Sequence, residues 1–101
     1  MTTNLAPLKI GAILKKYGLQ PDKSLGQNFL ADEVALQRVV DAAGIEADQA
    51  VLEIGAGLGS LTRHLACVSS LVIAVELDDK LIPPLKEVLS SFENIHIIQG
   101  D

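Results

Sequence analysis

The stretch EIGAGLG at residues 53–59 decides the fold class of this chain. It follows a short apolar run at residues 50–54, which predicts a strand, and it precedes residues 60–68, which predict a helix capped by Ser60. A second strand is predicted at residues 71–76 from their β-branched composition. Strand, glycine loop, helix and strand in this order form a βαβ unit.

The same alternation continues to the end of the sequence. Asp78 or Asp79 is predicted to begin another helix, which meets two prolines early and ends near Ser91, and a third strand is predicted at residues 95–98. Right-handed crossovers place such strands in parallel order in an open α/β sheet. We therefore expect a partial Rossmann-like fold with three parallel strands and flanking helices. Because the outer edge of the first strand lacks a partner, we expect the chain to be a fragment of a larger domain.

A helical arm is predicted ahead of this unit. Residues 7–17 carry apolar side chains near helical spacing and stop at Gly18, whereas residues 21–30 show no sustained period and predict a loop. Asp32 is predicted to cap a further helix, which Gly44 ends. The apolar face expected of that helix consists of Ala35, Leu36, Val39, Val40 and Ala43.

Composition excludes several classes of protein. Apolar residues make up 49% of the 101 residues, which is too many for a disordered chain. Cys67 is the single cysteine, so no intramolecular disulfide can form and a reduced, cytoplasmic setting is expected. No apolar run reaches the roughly 18 residues that cross a bilayer, so we expect no membrane contact. The net charge of −5 argues against this segment as the main nucleic-acid-binding surface, although the first 24 residues are basic.

The glycine loop and an acid further along the chain predict a ligand that contains a nucleoside. Glycines at the end of a strand let a ligand approach the backbone, because no side chain stands in the way. Glu76 follows Gly55 by 21 positions and lies at the tip of the next strand, where its carboxylate can accept hydrogen bonds from two ribose hydroxyls. The alternative to a ligand site is a tight turn beside a solvated acid. It requires the strand context and the spacing to coincide by chance.

Two features favour S-adenosylmethionine over a nicotinamide dinucleotide. The glycines are spaced G-x-G-x-G, whereas dinucleotide oxidoreductases usually have G-x-G-x-x-G. Glu53 directly precedes the loop region, and a carboxylate there repels a pyrophosphate but suits a ligand with ammonium and sulfonium charges. An oxidoreductase fragment is therefore disfavoured.

Residues 23–30, which read KSLGQNFL, resemble a motif of the ribosomal RNA adenine dimethyltransferases. Residues 53–59, the stretch VELD at 75–78 and Gly100-Asp101 match the same family, so the resemblance covers the chain after about Tyr17. It implies an enzyme of the KsgA type, with a seven-stranded methyltransferase domain and a small helical domain. Such enzymes use S-adenosylmethionine to convert two adjacent adenosines of small-subunit ribosomal RNA to N6,N6-dimethyladenosine.

The resemblance also implies a cofactor site. It divides the chain into an N-terminal arm at residues 1–30 and the first half of the methyltransferase domain at residues 31–101. The residues that it assigns to S-adenosylmethionine are Gln27, Asn28, Leu30, Gly55, Gly57, Glu76, Leu77 and Asp101. Asn28 and Leu30 are expected at the methionine end, with Gln27 and the two glycines close by. Glu76 is expected on the ribose, Leu77 on the adenine ring, and Asp101 on the adenine amino group.

Three alternatives stay open at this point. Erythromycin-resistance methyltransferases, which modify large-subunit ribosomal RNA, share this architecture, but their corresponding motif usually lacks the glycine that precedes Gln27 here. A free-standing nucleoside-binding module is the second alternative. As the third, the glycines and Glu76 form a turn and a solvated acid without a ligand.

No catalytic residue is predicted within the chain. The resembling family places an Asn-Leu-Pro-Tyr or similar stretch after its fourth strand, where it holds the target amine and stacks on the flipped base, and no such stretch occurs here. His64 and His96 lack a Cys, Asp or Ser at useful spacing and are expected to be structural or exposed. One cysteine and two separated histidines do not compose a metal site. We expect the fragment to be inactive alone and to dimerise through its open sheet edge.

Overall fold

The computed structural model describes residues 5–20 and 32–101, and within them the chain forms four α-helices and one three-stranded sheet. The elements in chain order are α1 (Ile10–Lys16), α2 (Glu33–Ala43), β1 (Ala50–Ile54), α3 (Ser60–Val68), β2 (Leu71–Glu76), α4 (Ile82–Val88) and β3 (Ile95–Gln99). A short 3-10 turn, Asp79–Leu81, leads into α4.

The three strands are parallel and lie in the order β1-β2-β3. The register aligns Ile54 of β1 with Val75 of β2, and Glu76 of β2 with Gln99 of β3. Both connections contain a helix, as parallel neighbours require. The prediction of a partial α/β sheet with β1 at one edge is confirmed for the described residues.

Helices cover one face of this sheet. Val72 and Ala74 of β2 are completely buried, and they pack with Leu65 of α3 and Leu85 of α4, respectively. The register places Val51 of β1 on the same face, where it joins the core. Side chains on the opposite face alternate with these; they are exposed on β1, whereas Ile73 and Val75 of β2 are half-buried.

The predicted ends of α2 are confirmed. The Asp32 carboxylate accepts hydrogen bonds from the backbone amides of Val34 and Ala35, and Gly44 ends the helix in the left-handed conformation. The prediction of its buried face was too wide. Leu36 and Val40 are buried in the described structure, whereas the predicted face member Val39 is 49% exposed and Ala43 is exposed.

Several other boundaries differ from the sequence predictions. The predicted capping role of Ser60 was wrong, because Gly59 takes the cap position in a left-handed conformation and Ser60 is the first helical residue. Helix α4 ends at Val88 rather than near Ser91, since the chain turns through hydrogen bonds from Ser90 to Glu87 and from Phe92 to Leu89. Helix α1 begins at Ile10 rather than at residue 7. The predicted loop at residues 21–30 lies outside the described residues.

Across residues 5–20 and 32–101, every helix is too short or too polar to cross a membrane.

Candidate functional site

The glycine loop joins β1 to α3 through three residues with positive φ. Gly55, Gly57 and Gly59 have φ values of 82°, 61° and 85°, which side chains disfavour. The amides of Gly55 and Ala56 both donate to the Val75 carbonyl, at 2.8 and 3.0 Å, and this fixes the start of the loop against β2. At Gly59 a Cβ would lie 3.1 Å from side-chain atoms of both Leu85 and Leu89. A side chain at the last glycine would therefore crowd these leucines as well as strain the backbone.

Glu76 lies at the tip of β2 and closes against the glycine loop. Its Oε1 accepts a hydrogen bond from the amide of Gly57 at 2.7 Å, and its Oε2 accepts one from the amide of Asp78 at 2.8 Å. The residue is only 6% exposed. Each carboxylate oxygen has two lone pairs, so two acceptor positions remain after these bonds. The structure thus brings together the loop and the acid that the sequence singled out.

The ends of β2 and β3 meet beside Glu76. The amide of Gly100 donates to the Glu76 carbonyl at 2.9 Å, and the Gln99 side chain donates to the Leu77 carbonyl at 3.0 Å. Leu77 leaves its apolar side chain 48% exposed, and Asp101 is exposed directly after β3. The predicted residues Glu76, Leu77 and Asp101 therefore lie together at the carboxyl end of the sheet, as expected where parallel strands end.

A cleft of about 240 Å³ opens above the glycine loop. Its floor contains Glu53 and the loop from Gly55 to Leu58, and its walls come from Leu36 and Val39 of α2 and from Ser60 and Leu61 of α3. The exposed side of Val39, which the sequence assigned to the core, belongs to this cleft. Helix α2 is thus part of the candidate site as well as of the core.

Glu53 introduces a titratable group into the cleft floor. Burial raises the pKa of its carboxyl from 4.5 to about 7, although the hydrogen bond from the Thr62 hydroxyl opposes the shift, and the negative charge of Glu76 raises the pKa further. The Thr62 oxygen lies 2.5 Å from Glu53 Oε1. Near neutral pH this carboxyl is therefore poised between its two forms, and a cation in the cleft would favour the charged one.

Three of the predicted site residues cannot be placed. Gln27, Asn28 and Leu30 lie outside the described residues, so their assignment to the methionine end of the cofactor stays a prediction. The remaining predicted residues, Gly55, Gly57, Glu76, Leu77 and Asp101, lie at the carboxyl edge of the sheet.

Sequence reasoning missed a buried cluster of charged groups. Arg63 and His64 of α3 both reach Glu33 Oε1 at 3.1 Å, and Arg63 also donates to the carbonyl of Ala6 at 2.8 Å. His64 was predicted to be either structural or exposed, and the structure shows it to be buried, with 3% of its surface exposed. Arg63 and His64 are consecutive residues of one helix, and nothing in the local sequence indicated a partner 30 residues earlier.

His96 and Cys67 are the other side chains that the sequence analysis considered for reactivity. His96 is exposed on β3. Cys67 is a free cysteine, and burial of its thiol raises its pKa, which keeps it in the less reactive protonated form. In the part of the chain that the structure describes, no group of three His, Cys, Asp or Glu side chains is placed to hold a metal ion.

Fold and site together define a class of protein, the Rossmann-like methyltransferases. The fold is similar to a dimethyladenosine transferase from Plasmodium falciparum, with a TM-score of 0.67 and 30% identity over 73% of this chain and 28% of that one. It is also similar to the 23S rRNA methyltransferase ErmE, with a TM-score of 0.70 and 39% identity over 73% of this chain and 30% of that one.

The chain belongs to the ribosomal RNA adenine dimethylase family, whose model matches residues 18–101. It is similar to the ribosomal RNA small subunit methyltransferase A of Listeria welshimeri, with 48% identity over 94% of this chain and 32% of that protein. The family resemblance predicted from the sequence is confirmed. The chain spans about a third of the length of the curated relatives it matches.

Proposed function

We propose that this chain is the cofactor-binding part of an S-adenosylmethionine-dependent methyltransferase that modifies N6 of two adjacent adenosines in small-subunit ribosomal RNA. The family membership of residues 18–101 supports the reaction class. The small-subunit substrate rests on the relatives, which are called ribosomal RNA small subunit methyltransferase A.

One observation carries the assignment of the cofactor. The Glu76 carboxylate is buried against the Gly57 amide and still has two free acceptor positions, so it is held ready for the two hydroxyls of a ribose. A solvated acid at a strand end would need no such support from a glycine loop. The observation therefore favours a nucleoside ligand over an unliganded turn.

Charge in the cleft favours S-adenosylmethionine among nucleoside ligands. Glu53 lines the cleft, and the negative charge of the nearby Glu76 carboxylate raises the pKa of Glu53. A pyrophosphate would add negative charge to this region, whereas a sulfonium and an ammonium group relieve the repulsion. The residues present thus fit the proposed cofactor.

We assign the remaining contacts as the resemblance implies them. Leu77, whose side chain is 48% exposed, packs on the adenine ring, and Asp101 accepts a hydrogen bond from its amino group. The backbone at Gly55 and Gly57 passes close to the methionine end. Gln27, Asn28 and Leu30 complete that end from the N-terminal arm.

Bound S-adenosylmethionine supplies an electrophilic methyl group, and the protein must orient an amine toward it. Adenine N6 is a poor nucleophile because its lone pair is delocalised into the ring, so the enzyme gains most of its rate from positioning. The glycine loop and Glu76 hold the donor side of this arrangement. The groups that hold the flipped adenine are assigned to a part of the protein beyond these 101 residues.

A large-subunit ribosomal RNA is the second candidate substrate, because the ErmE structure is similar to this chain. Incubating the protein from the complete reading frame with labelled S-adenosylmethionine and unmethylated ribosomal subunits separates the two candidates. We expect label in two adjacent adenosines of the small subunit and none in the large one. Label in the large subunit alone would transfer the assignment to the erythromycin-resistance type. The chain of 101 residues, assayed beside it, is expected to be inactive.

We further propose a cytoplasmic location, since the single cysteine suits a reducing compartment.

We also propose self-association of this chain. The outer edge of β1 has no strand partner among the described residues, and Leu52 and Ile54 of β1 are 63% and 73% exposed. An open strand edge next to an apolar face favours pairing with a second copy.

A further inference from the structure

Arg63 joins three segments of the chain through one buried guanidinium group. Its Nη1 donates to the carbonyl of Ala6 ahead of α1, at 2.8 Å, and its Nη2 donates to Glu33 Oε1 at the start of α2, at 3.1 Å. The side chain itself belongs to α3, the helix that begins at the glycine loop. His64 adds a second contact of 3.1 Å between α3 and the same Glu33 oxygen.

Burial of the Arg63 guanidinium means that it needs defined hydrogen-bond partners. Arg63 is 7% exposed, and a charge that is removed from water is tolerated only where it is paired and hydrogen-bonded. Within residues 5–20 and 32–101, Arg63 Nε and Glu33 Oε2 are buried without a hydrogen-bond partner. Because these two polar atoms lack partners, the ion pair is a weak source of stability. Buried ion pairs of this kind are better attested as devices that select one arrangement of the packed elements.

The two helices that Arg63 connects are the walls of the candidate cofactor cleft. Glu33 precedes Leu36 by one helical turn, and Leu36 lines the cleft from α2. Leu61 lines it from α3, two residues before Arg63. The contact between Glu33 and Arg63 thus links the helix that supplies one wall to the helix that supplies the other.

We propose that Arg63 is a positioning residue for the cofactor, because its guanidinium fixes the N-terminal arm and α2 against the helix that carries the glycine loop. Arg63 does not line the cleft, and it acts through the positions of Leu36 and Val39 on α2. This inference rests on the proposed function of the cleft.

The test compares Arg63→Met with Ile97→Ala, which truncates a partly buried side chain in β3, a strand that contributes no residue to the cleft lining. Melting temperatures are measured first, so that cofactor affinities are compared at a matched loss of stability. S-adenosylhomocysteine is then titrated into each variant by calorimetry. We expect Arg63→Met to weaken binding by about tenfold or more relative to Ile97→Ala, because preorganisation of the cleft is lost. Arg63→Lys keeps the charge but not the forked geometry, and it should recover only part of the affinity.

Affinities that agree within twofold between Arg63→Met and Ile97→Ala would overturn the proposal, since the effect would then be one of stability alone. If Arg63→Met does not fold, the double variant Glu33→Gln, Arg63→Gln removes both charges together, and the same loss of affinity is expected. Hydrogen exchange without cofactor separates this proposal from the proposed function. Faster exchange of the α2 amides in Arg63→Met supports the positioning role even if no chain binds S-adenosylhomocysteine, and unchanged α2 exchange contradicts it.

Discussion

At the scale of single residues, Glu76 links the architecture of the site to its proposed chemistry. Its carboxylate is held by one amide from the glycine loop and one from the turn after β2. Charge-assisted bonds of this kind fix the carboxylate in place before a ligand arrives. The sequence predicted the position of this acid from its spacing to Gly55. The spacing could not predict that the protein's own backbone would use half of its acceptor positions.

Glu53 gives the stability of the chain a pH dependence that can be worked out in sign. The pKa of its carboxyl is about 7 in the folded chain and takes its ordinary value of 4.5 when the chain unfolds. Between these values the folded state binds the extra proton, so the contribution of Glu53 to stability falls as the pH rises and is fully lost above the folded pKa.

We therefore expect Glu53→Gln to become more stable relative to the unchanged chain as the pH rises from 5 to 8. The difference in the free energy of unfolding should grow by about 3 kcal/mol at most, as a shift of this size implies. Urea denaturation at several pH values measures it. Thr62→Val removes the hydrogen bond that opposes the shift, so its stability should fall over a window that extends to higher pH. A difference that does not vary with pH would show that Glu53 is ionised throughout.

At the scale of elements, the glycine loop contains one glycine that backbone conformation alone favours and one that packing also favours. A Cβ at Gly55 meets open space, whereas one at Gly59 lies 3.1 Å from Leu85 and from Leu89, and both residues have positive φ. Gly55→Ala should therefore lose about 1–2 kcal/mol of stability from backbone strain alone. Gly59→Ala should lose about 1–3 kcal/mol more from overpacking. Chemical denaturation of the two variants compares them directly, and equal losses would contradict the packing role of Gly59.

The elements themselves were largely predictable from the sequence. Periodicity located all three strands to within one residue, and Asp32 and Gly44 marked both ends of α2, because these signals act over a few neighbouring residues. The errors arose where contacts between residues far apart in the sequence determine the local structure. Val39 has the spacing of a core residue but lines the cleft, and α4 ends early because the chain turns toward β3. The cluster at Arg63 was not predictable, since its partners lie 30 and 57 residues away in the sequence.

At the scale of the whole molecule, residues 5–20 and 32–101 cover the sheet on one face only. Leu52, Ile54 and Ile98 expose 63%, 73% and 42% of their surface on the other face. Leu52 and Ile54 lie on β1, whose outer edge is open among the described residues, and Ile98 lies on β3. This exposed apolar face is the basis for the proposed self-association.

We expect the chain to form dimers or larger species whose fraction rises with concentration, as measured by light scattering coupled to size-exclusion chromatography. Leu52→Lys places a charge on the exposed face and should shift the chain toward the monomer. Val34→Lys is the matched control, because Val34 is equally exposed, at 64%, but lies on α2. A monodisperse monomer of the unchanged chain at all concentrations would refute the self-association.

The most direct test of the central claim is a calorimetric titration of the chain with S-adenosylmethionine, S-adenosylhomocysteine and NAD. Glu76→Gln is titrated in parallel, with Glu87→Gln as the control, since Glu87 is exposed and pairs with Lys16 away from the cleft. We predict saturable binding of the first two ligands, weakened about tenfold or more by Glu76→Gln and unchanged by Glu87→Gln, because a charged acceptor for the ribose is lost. Binding of NAD alone, or binding of S-adenosylmethionine that Glu76→Gln leaves intact, would contradict the account.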